Sequence, residues 1–182
     1  MSRTLKILVV LIAMLVLSSF LFSVALFAEV DYFKTLGIQK PSKEIEAVDF
    51  SVVSMDGQEV NLKDFKGKVI FLNFWATWCG PCKMEVKDID NMYKKLKNKD
   101  FAVLAVDVQE DSKKIKSFMK EQDLSFPVYI DKDGKISYQY GVRGIPTTYI
   151  IGKDWKIVGR AVGPRPWGSE DSIKFMENLI KK

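Results

Sequence analysis

The sequence predicts an α/β domain: a central mixed β-sheet flanked by helices, with an amino-terminal β-hairpin extension, preceded by a single transmembrane helix. Three observations predict it. Residues 7–28 form an apolar run long enough to cross a bilayer. From residue 69 onward, strands of the kind buried on both faces alternate with amphipathic helices. Toward the carboxyl end, two β-rich segments are joined by a short turn.

Within 7–28 only Ser18, Ser19 and Ser23 interrupt the apolar residues, and its 22 positions exceed the roughly 20 that a membrane-crossing helix needs. A cleaved signal peptide is the competing reading, with Ser23 and Ala25 at the cut; the run continues through Leu26 and Phe27, which favours a retained anchor. Arg3 and Lys6 precede the span, and positive charge stays on the cytoplasmic side. The expected location is therefore the bacterial cytoplasmic membrane, single-pass, with the folded domain on the extracytoplasmic or periplasmic side. The expected division is 1–28 membrane anchor or signal-anchor, 29–46 linker and 47–182 folded domain.

The linker mixes charges with Gly37 and Pro41 and shows no sustained period. Phe50, Val52 and Val53, then Asp56-Gly57, then Val60 and Leu62 predict a hairpin. Residues 69–75 (VIFLNFW) are nearly all apolar and read as a central parallel strand. Val86, Ile89, Met92, Tyr93 and Leu96 recur at helical spacing. A second buried strand covers 101–106, and Asp111 and Ser112 are candidate caps of a helix whose Ile115, Phe118 and Met119 share a face. A short strand at 127–130, a turn at 131–134, a hairpin of 147–151 with 156–161 and a last helix after Gly168-Ser169 complete the chain.

The formal charge of +5 is mild. The first 28 residues hold Arg3 and Lys6 and no acid, so the remainder is more even still, and no basic run or face indicates nucleic acid.

Both cysteines of the chain lie in 75–83 (WATWCGPCK), two residues apart. Zinc needs about four ligands, whereas this sequence has no histidine and no third cysteine. Covalent haem needs histidine directly after the second cysteine, where Lys83 stands. A structural crosslink is the competing reading, but closing a loop of about four residues contributes only about 2 kcal/mol in the chain-entropy model. A redox couple accounts for the spacing, because a second thiol one helical turn away can release a mixed disulfide formed on the first. Cys79 follows a buried strand and starts a helix, where free backbone N–H groups and the helix dipole favour a thiolate, so Cys79 is the expected nucleophile and Cys82 the resolving thiol. Pro81 sits where a first-turn proline costs no hydrogen bond.

Strand, WATWCGPCK, helix and the later Gly144-Ile145-Pro146-Thr147-Thr148 together resemble a thioredoxin-fold protein, and within that superfamily the membrane-anchored ResA/TlpA-like thiol–disulfide oxidoreductases. The resemblance runs from about Phe50 to the carboxyl end. It implies a cis Pro146 facing the dithiol, an Ile145 backbone open to an extended substrate chain, and Trp78 in the apolar contact surface. Trp75 reads as core. Thioredoxin carries a buried aspartate where Asn73 stands here, so proton handling falls to another group; Glu85 matches an acid the family often places three residues after the second cysteine, and is the candidate for proton transfer. An exposed helix-surface glutamate is the alternative there. Lys87 and Gly80 depart from residues that some members carry.

The expected function is an extracytoplasmic thiol–disulfide oxidoreductase that reduces disulfides in target proteins, with cytochrome c precursors as the substrates the family suggests. A disulfide-forming oxidase or isomerase is the alternative, and a non-catalytic adaptor the weaker one. A peroxidase of the peroxiredoxin type would need a threonine three residues before a lone cysteine, where Ala76 stands. Expected partners are protein substrates with disulfides, a membrane-embedded thiol electron donor, and the membrane through 7–28; the protein is expected to be a monomer, with no cofactor beyond the redox-active Cys79–Cys82 disulfide and no metal.

Overall fold

Seven consecutive buried residues, VIFLNFW, make β3 (Val69–Trp75), and the domain is built outward from this strand. In the computed structural model the described residues are 30–182 together with Ile7, Leu11, Ile12 and Met14, which are helical. The expected span at 7–28 otherwise lies outside the described residues, and among the described residues no helix is long and apolar enough to cross a membrane.

The elements in chain order are α1 (Tyr32–Thr35), β1 (Ser51–Ser54), β2 (Glu59–Asn61), a 3-10 turn (Leu62–Phe65), β3, α2 (Gly80–Leu96), β4 (Phe101–Val108), α3 (Ser112–Glu121), β5 (Val128–Asp131), α4 (Lys135–Gln139), β6 (Thr147–Ile151), β7 (Ile157–Val162) and α5 (Glu170–Ile180). One seven-stranded sheet holds them in the order β2-β1-β5-β4-β3-β6-β7. β3, β4 and β5 are parallel, while β1, β6 and β7 join antiparallel. The sheet is mixed, as expected. The amino-terminal hairpin turns at Gly57, whose φ of 82° suits glycine.

Two buried clusters lie on the two sides of the sheet. Val69, Phe71 and Trp75 of β3 pack with Val86, Ile89 and Met92 of α2, Ile115 of α3 and Met176 of α5. Ile70, Leu72 and Phe74 pack on the other side with Leu62, Ile136 and Tyr140. The alternation along one strand is what divides the core.

The structure differs from the sequence reading in two places. Residues 135–139 form α4, whose first turn is held from outside the helix: the buried Asp131 carboxylate accepts from Ile136 N (3.1 Å) and Ser137 N (2.8 Å). From Tyr32 on, the stretch expected as a linker is held on the domain. Tyr32 and Phe33 pack on Phe175 at centroid distances of 5.8 and 5.2 Å. Gln39 exchanges backbone hydrogen bonds with Arg160 of β7, and Ile157 N donates to the Ile45 carbonyl. Edge-strand pairing therefore takes up a segment whose composition alone suggests none.

Candidate active site

At its carboxyl end β3 runs through Ala76 into a Thr77-Trp78 turn, closed by Cys79 N donating to the Ala76 carbonyl (3.2 Å). Cys79 is the N-cap of α2: its backbone is extended and its sulfur accepts from Cys82 N at 3.2 Å. Pro81 lies in the first turn, where its missing N–H leaves no helix bond unmade. The two cysteines form a disulfide with Cα atoms 5.3 Å apart. Cys79 keeps 5% of its surface exposed and Cys82 none, so attack from outside can reach only the first sulfur.

Register brings the second half of the site to the same place. β6 runs antiparallel to β3 with Phe74 opposite Thr147, which carries Ile145 and Pro146 past the end of β3. The Ile145–Pro146 bond is cis. The Ile145 carbonyl oxygen lies 3.7 Å from Cys79 Sγ. Trp78, just before the couple, is 63% exposed, and Met84, just after it, is 75% exposed, so apolar surface flanks the disulfide along the chain. Trp75 by contrast is buried, among Phe118 and Phe126.

Glu85 is 1% exposed and is not the surface glutamate that its helical position would allow. One oxygen accepts from Asn73 Nδ2 (3.0 Å), which also donates to Thr148 Oγ1 (2.9 Å). The other accepts from Arg165 N (3.0 Å) and from the Trp167 indole (3.1 Å). Burial favours the neutral carboxyl more than these donors and the Arg165 charge favour the anion, and the pKa is pushed up to about 7. Glu85 lies three residues after Cys82 on α2, and side chains at that spacing are neighbours. A carboxyl that titrates near neutrality one helical turn from Cys82 can take or return one proton.

An acidic pair, Asp107 and Glu110, supports the turn before Cys79. Glu110 accepts from Thr77 N (2.6 Å) and Thr77 Oγ1 (2.8 Å). Asp107, opposite Trp75 in the parallel pairing, is fully buried beside Glu110. Burial and the adjacent Glu110 charge push its pKa up to about 8, so near neutrality Asp107 is a neutral acid that can donate to Glu110. Among the described residues no group of three or more His, Cys, Asp or Glu side chains could hold a metal ion.

The structure thus brings Cys79, Cys82, Ile145 and Pro146 together, exposes Trp78 next to Cys79 in the chain and buries Glu85 one helical turn after Cys82. Sequence reading missed Asp107, Glu110, Arg165 and Trp167. For Asp107 a signal exists: a lone carboxylate inside the apolar run FAVLAVDV at the carboxyl end of a buried strand. Arg165 and Trp167 lie in a loop with no motif and act from 80 and 82 residues away from Glu85.

The chain is similar to known proteins. The AhpC/TSA family model matches residues 44–160. "Thiol-disulfide oxidoreductase ResA" of Bacillus thuringiensis subsp. konkukian (strain 97-27) is 42% identical over 137 residues, covering 75% of this chain and 76% of that protein. The protein of the same name from Bacillus subtilis (strain 168) is 37% identical over 145 residues, covering 80% and 79%. Among solved structures, a thiol:disulfide interchange protein of the thioredoxin family from Chlorobium tepidum TLS superposes with a TM-score of 0.67 at 30% identity, covering 77% of this chain and 99% of that one.

Proposed function

The chain belongs to the AhpC/TSA family and is a thiol–disulfide oxidoreductase of the ResA type, and on that premise we propose that it works outside the cytoplasm as a reductant of disulfides in target proteins, with cytochrome c precursors as the substrate class. The observation that carries this reading is the asymmetry of the couple: one sulfur at a helix N-terminus with a little exposed surface beside the Ile145 backbone, the other sealed.

The reaction begins from the dithiol. Cys79 attacks as the thiolate, which Cys82 N and the dipole of α2 stabilise. Its sulfur bonds to one sulfur of the substrate disulfide, and the other leaves as a thiolate. The substrate chain lies extended against the Ile145 carbonyl and N–H beside Pro146, as an added strand, with Trp78 covering its apolar side chains. Cys82 then gives its proton to the Glu85 carboxylate and attacks Cys79 Sγ. The Cys79–Cys82 bond forms, the mixed disulfide breaks, and the second substrate thiolate leaves. Two electrons pass to the substrate, its two thiolates take up protons, one returned by Glu85 and one from water, and the structure holds the oxidised couple. A membrane-embedded thiol carrier returns the couple to the dithiol, and 7–28 keeps the domain near that donor as a membrane anchor.

The Gly-Pro pair between the cysteines supports the reductive direction, because the same pair in thioredoxin accompanies a potential near about −270 mV against about −120 mV for the oxidant DsbA. Trapping tests the reading. A Cys82→Ala chain expressed in cells should collect mixed disulfides on Cys79 that mass spectrometry identifies, cytochrome c precursors among them; recovery of no disulfide-linked protein would refute it.

A further inference from the structure

We propose that residues 32–39, the stretch that follows the apolar run in sequence, are a working part of the redox site, and that Arg165 is the positioning residue through which they hold Glu85 in place. The proposal rests on the reading of Glu85 as the proton-transfer group.

The loop 163–167 supplies two of the three donors on Glu85: Arg165 N and the Trp167 indole. Little in the loop's own sequence fixes the Arg165 N–H, since Pro164 and Pro166 have no N–H and Gly163 has a φ of 84°. The Trp167 indole is held by its packing on Phe71 at a centroid distance of 5.0 Å, and the Arg165 N–H is held through the Arg165 guanidinium. Its Nη1 donates inward to the Gly163 (3.2 Å) and Pro164 (2.9 Å) carbonyls, clasping the loop's own backbone. Its Nε and Nη2 donate outward to the Leu36 (2.8 Å) and Gly37 (3.0 Å) carbonyls. A planar fork of donors is thus shared between loop and segment, a geometry that only arginine supplies.

The segment in turn is seated independently of Arg165, by Tyr32 and Phe33 on Phe175 and by the Gln39–Arg160 backbone pair. Gly37 makes the close approach: its φ is +60°, and a Cβ there would sit 3.2 Å from Arg165 Nε and 3.3 Å from Nη2. At its other end the loop is tied to the substrate platform, because Gly163 N donates to the Pro146 carbonyl at 2.8 Å. Seated segment, arginine, loop, buried acid and substrate platform form one chain of direct contacts.

The groups that face Glu85 are Asn73 from β3, with Thr148 of β6 behind it, the Arg165 N–H and Trp167 indole from the loop, and Cys82 one turn earlier on α2; the Arg165 charge acts from further out. Loosening the segment withdraws the Arg165 N–H and the Arg165 charge, both of which favour the Glu85 anion, while Trp167, fully buried against Phe71, keeps the carboxyl covered. The ionisation of Glu85 therefore moves to higher pH when the segment is unseated, although no residue near the sulfurs has changed.

The test is the rate at which the reduced full-length protein, in detergent, reacts with oxidised glutathione across the neutral range. The wild-type profile should contain a step near neutrality that Glu85→Gln removes. Arg165→Ala should move that step upward by about half a pH unit or more. Gly37→Val, which leaves Arg165 and Glu85 intact, should move it the same way, and carries the test by itself if Arg165→Ala does not fold. If Glu85→Gln removes the step while Gly37→Val and Arg165→Ala leave it where it was, the positioning role is overturned and the role of Glu85 stands. If Glu85→Gln leaves the step in place, the proton-transfer reading fails and this proposal falls with it.

Discussion

Replacing Glu85 by glutamine should flatten the fall of stability with rising pH. The folded protein raises this carboxyl from 4.5 to about 7, with burial as the main cause. A folded-state pKa above the unfolded one means that the folded chain binds the extra proton. The contribution of Glu85 is therefore fully present below about pH 4.5 and is lost as pH rises through about 7. At about 1.4 kcal/mol per pH unit the loss amounts to about 3 kcal/mol across that window. The glutamine side chain has no proton to lose, so the difference in unfolding free energy between variant and wild type should grow in the variant's favour by about that amount from acid to neutral pH. Asp107 imposes a loss of the same sign up to about pH 8, and the lowered carboxyls of Asp90, Glu170 and Glu177 act oppositely at acid pH. All of these are common to both proteins and cancel in the difference. The amide disturbs the hydrogen bonds of Asn73, Arg165 and Trp167 at every pH, which offsets the curves without changing their relative slope. Urea unfolding of the oxidised full-length protein in detergent, followed by tryptophan fluorescence at several pH values, measures this. Parallel curves would refute the claim that Glu85 titrates inside the fold.

Two further outcomes follow from the same geometry. Asp107→Asn gives Glu110 a permanent donor in place of a carboxyl that ionises near pH 8, and should raise stability at that pH by about 1 to 2 kcal/mol in the same unfolding assay. Asp111→Ala removes the cap that accepts from Lys113 N and Lys114 N, and should cost about 1 kcal/mol while leaving the reaction of Cys79 with a model disulfide unchanged.

The parts of the fold legible in the sequence were those set by local pattern. VIFLNFW is buried throughout because strands pair with both its edges and packing covers both faces, and an unbroken apolar run states this directly. The Asp56-Gly57 turn and the stripe on α2 are equally local. Helix α4 was not, since five residues carry no period and its start is held by Asp131, a residue of the preceding strand. The docking of 32–47 depends on Phe175 and on the free edge of β7, more than a hundred residues away. In the site, Cys79, Cys82 and Pro146 are announced by residue type and spacing. Glu85 could be named but not placed, because whether a helix position is buried depends on what covers it, and here the cover is Trp167 and the loop around Arg165.

The central claim is that Cys79 and Cys82 form a reducing couple, and the midpoint potential of that pair tests it most directly. Full-length protein equilibrated in dithiothreitol and glutathione buffers, quenched and scored for free thiol by mass spectrometry, should give a midpoint nearer to about −270 mV than to about −120 mV. A midpoint above about −150 mV would contradict the account and assign the couple to disulfide formation.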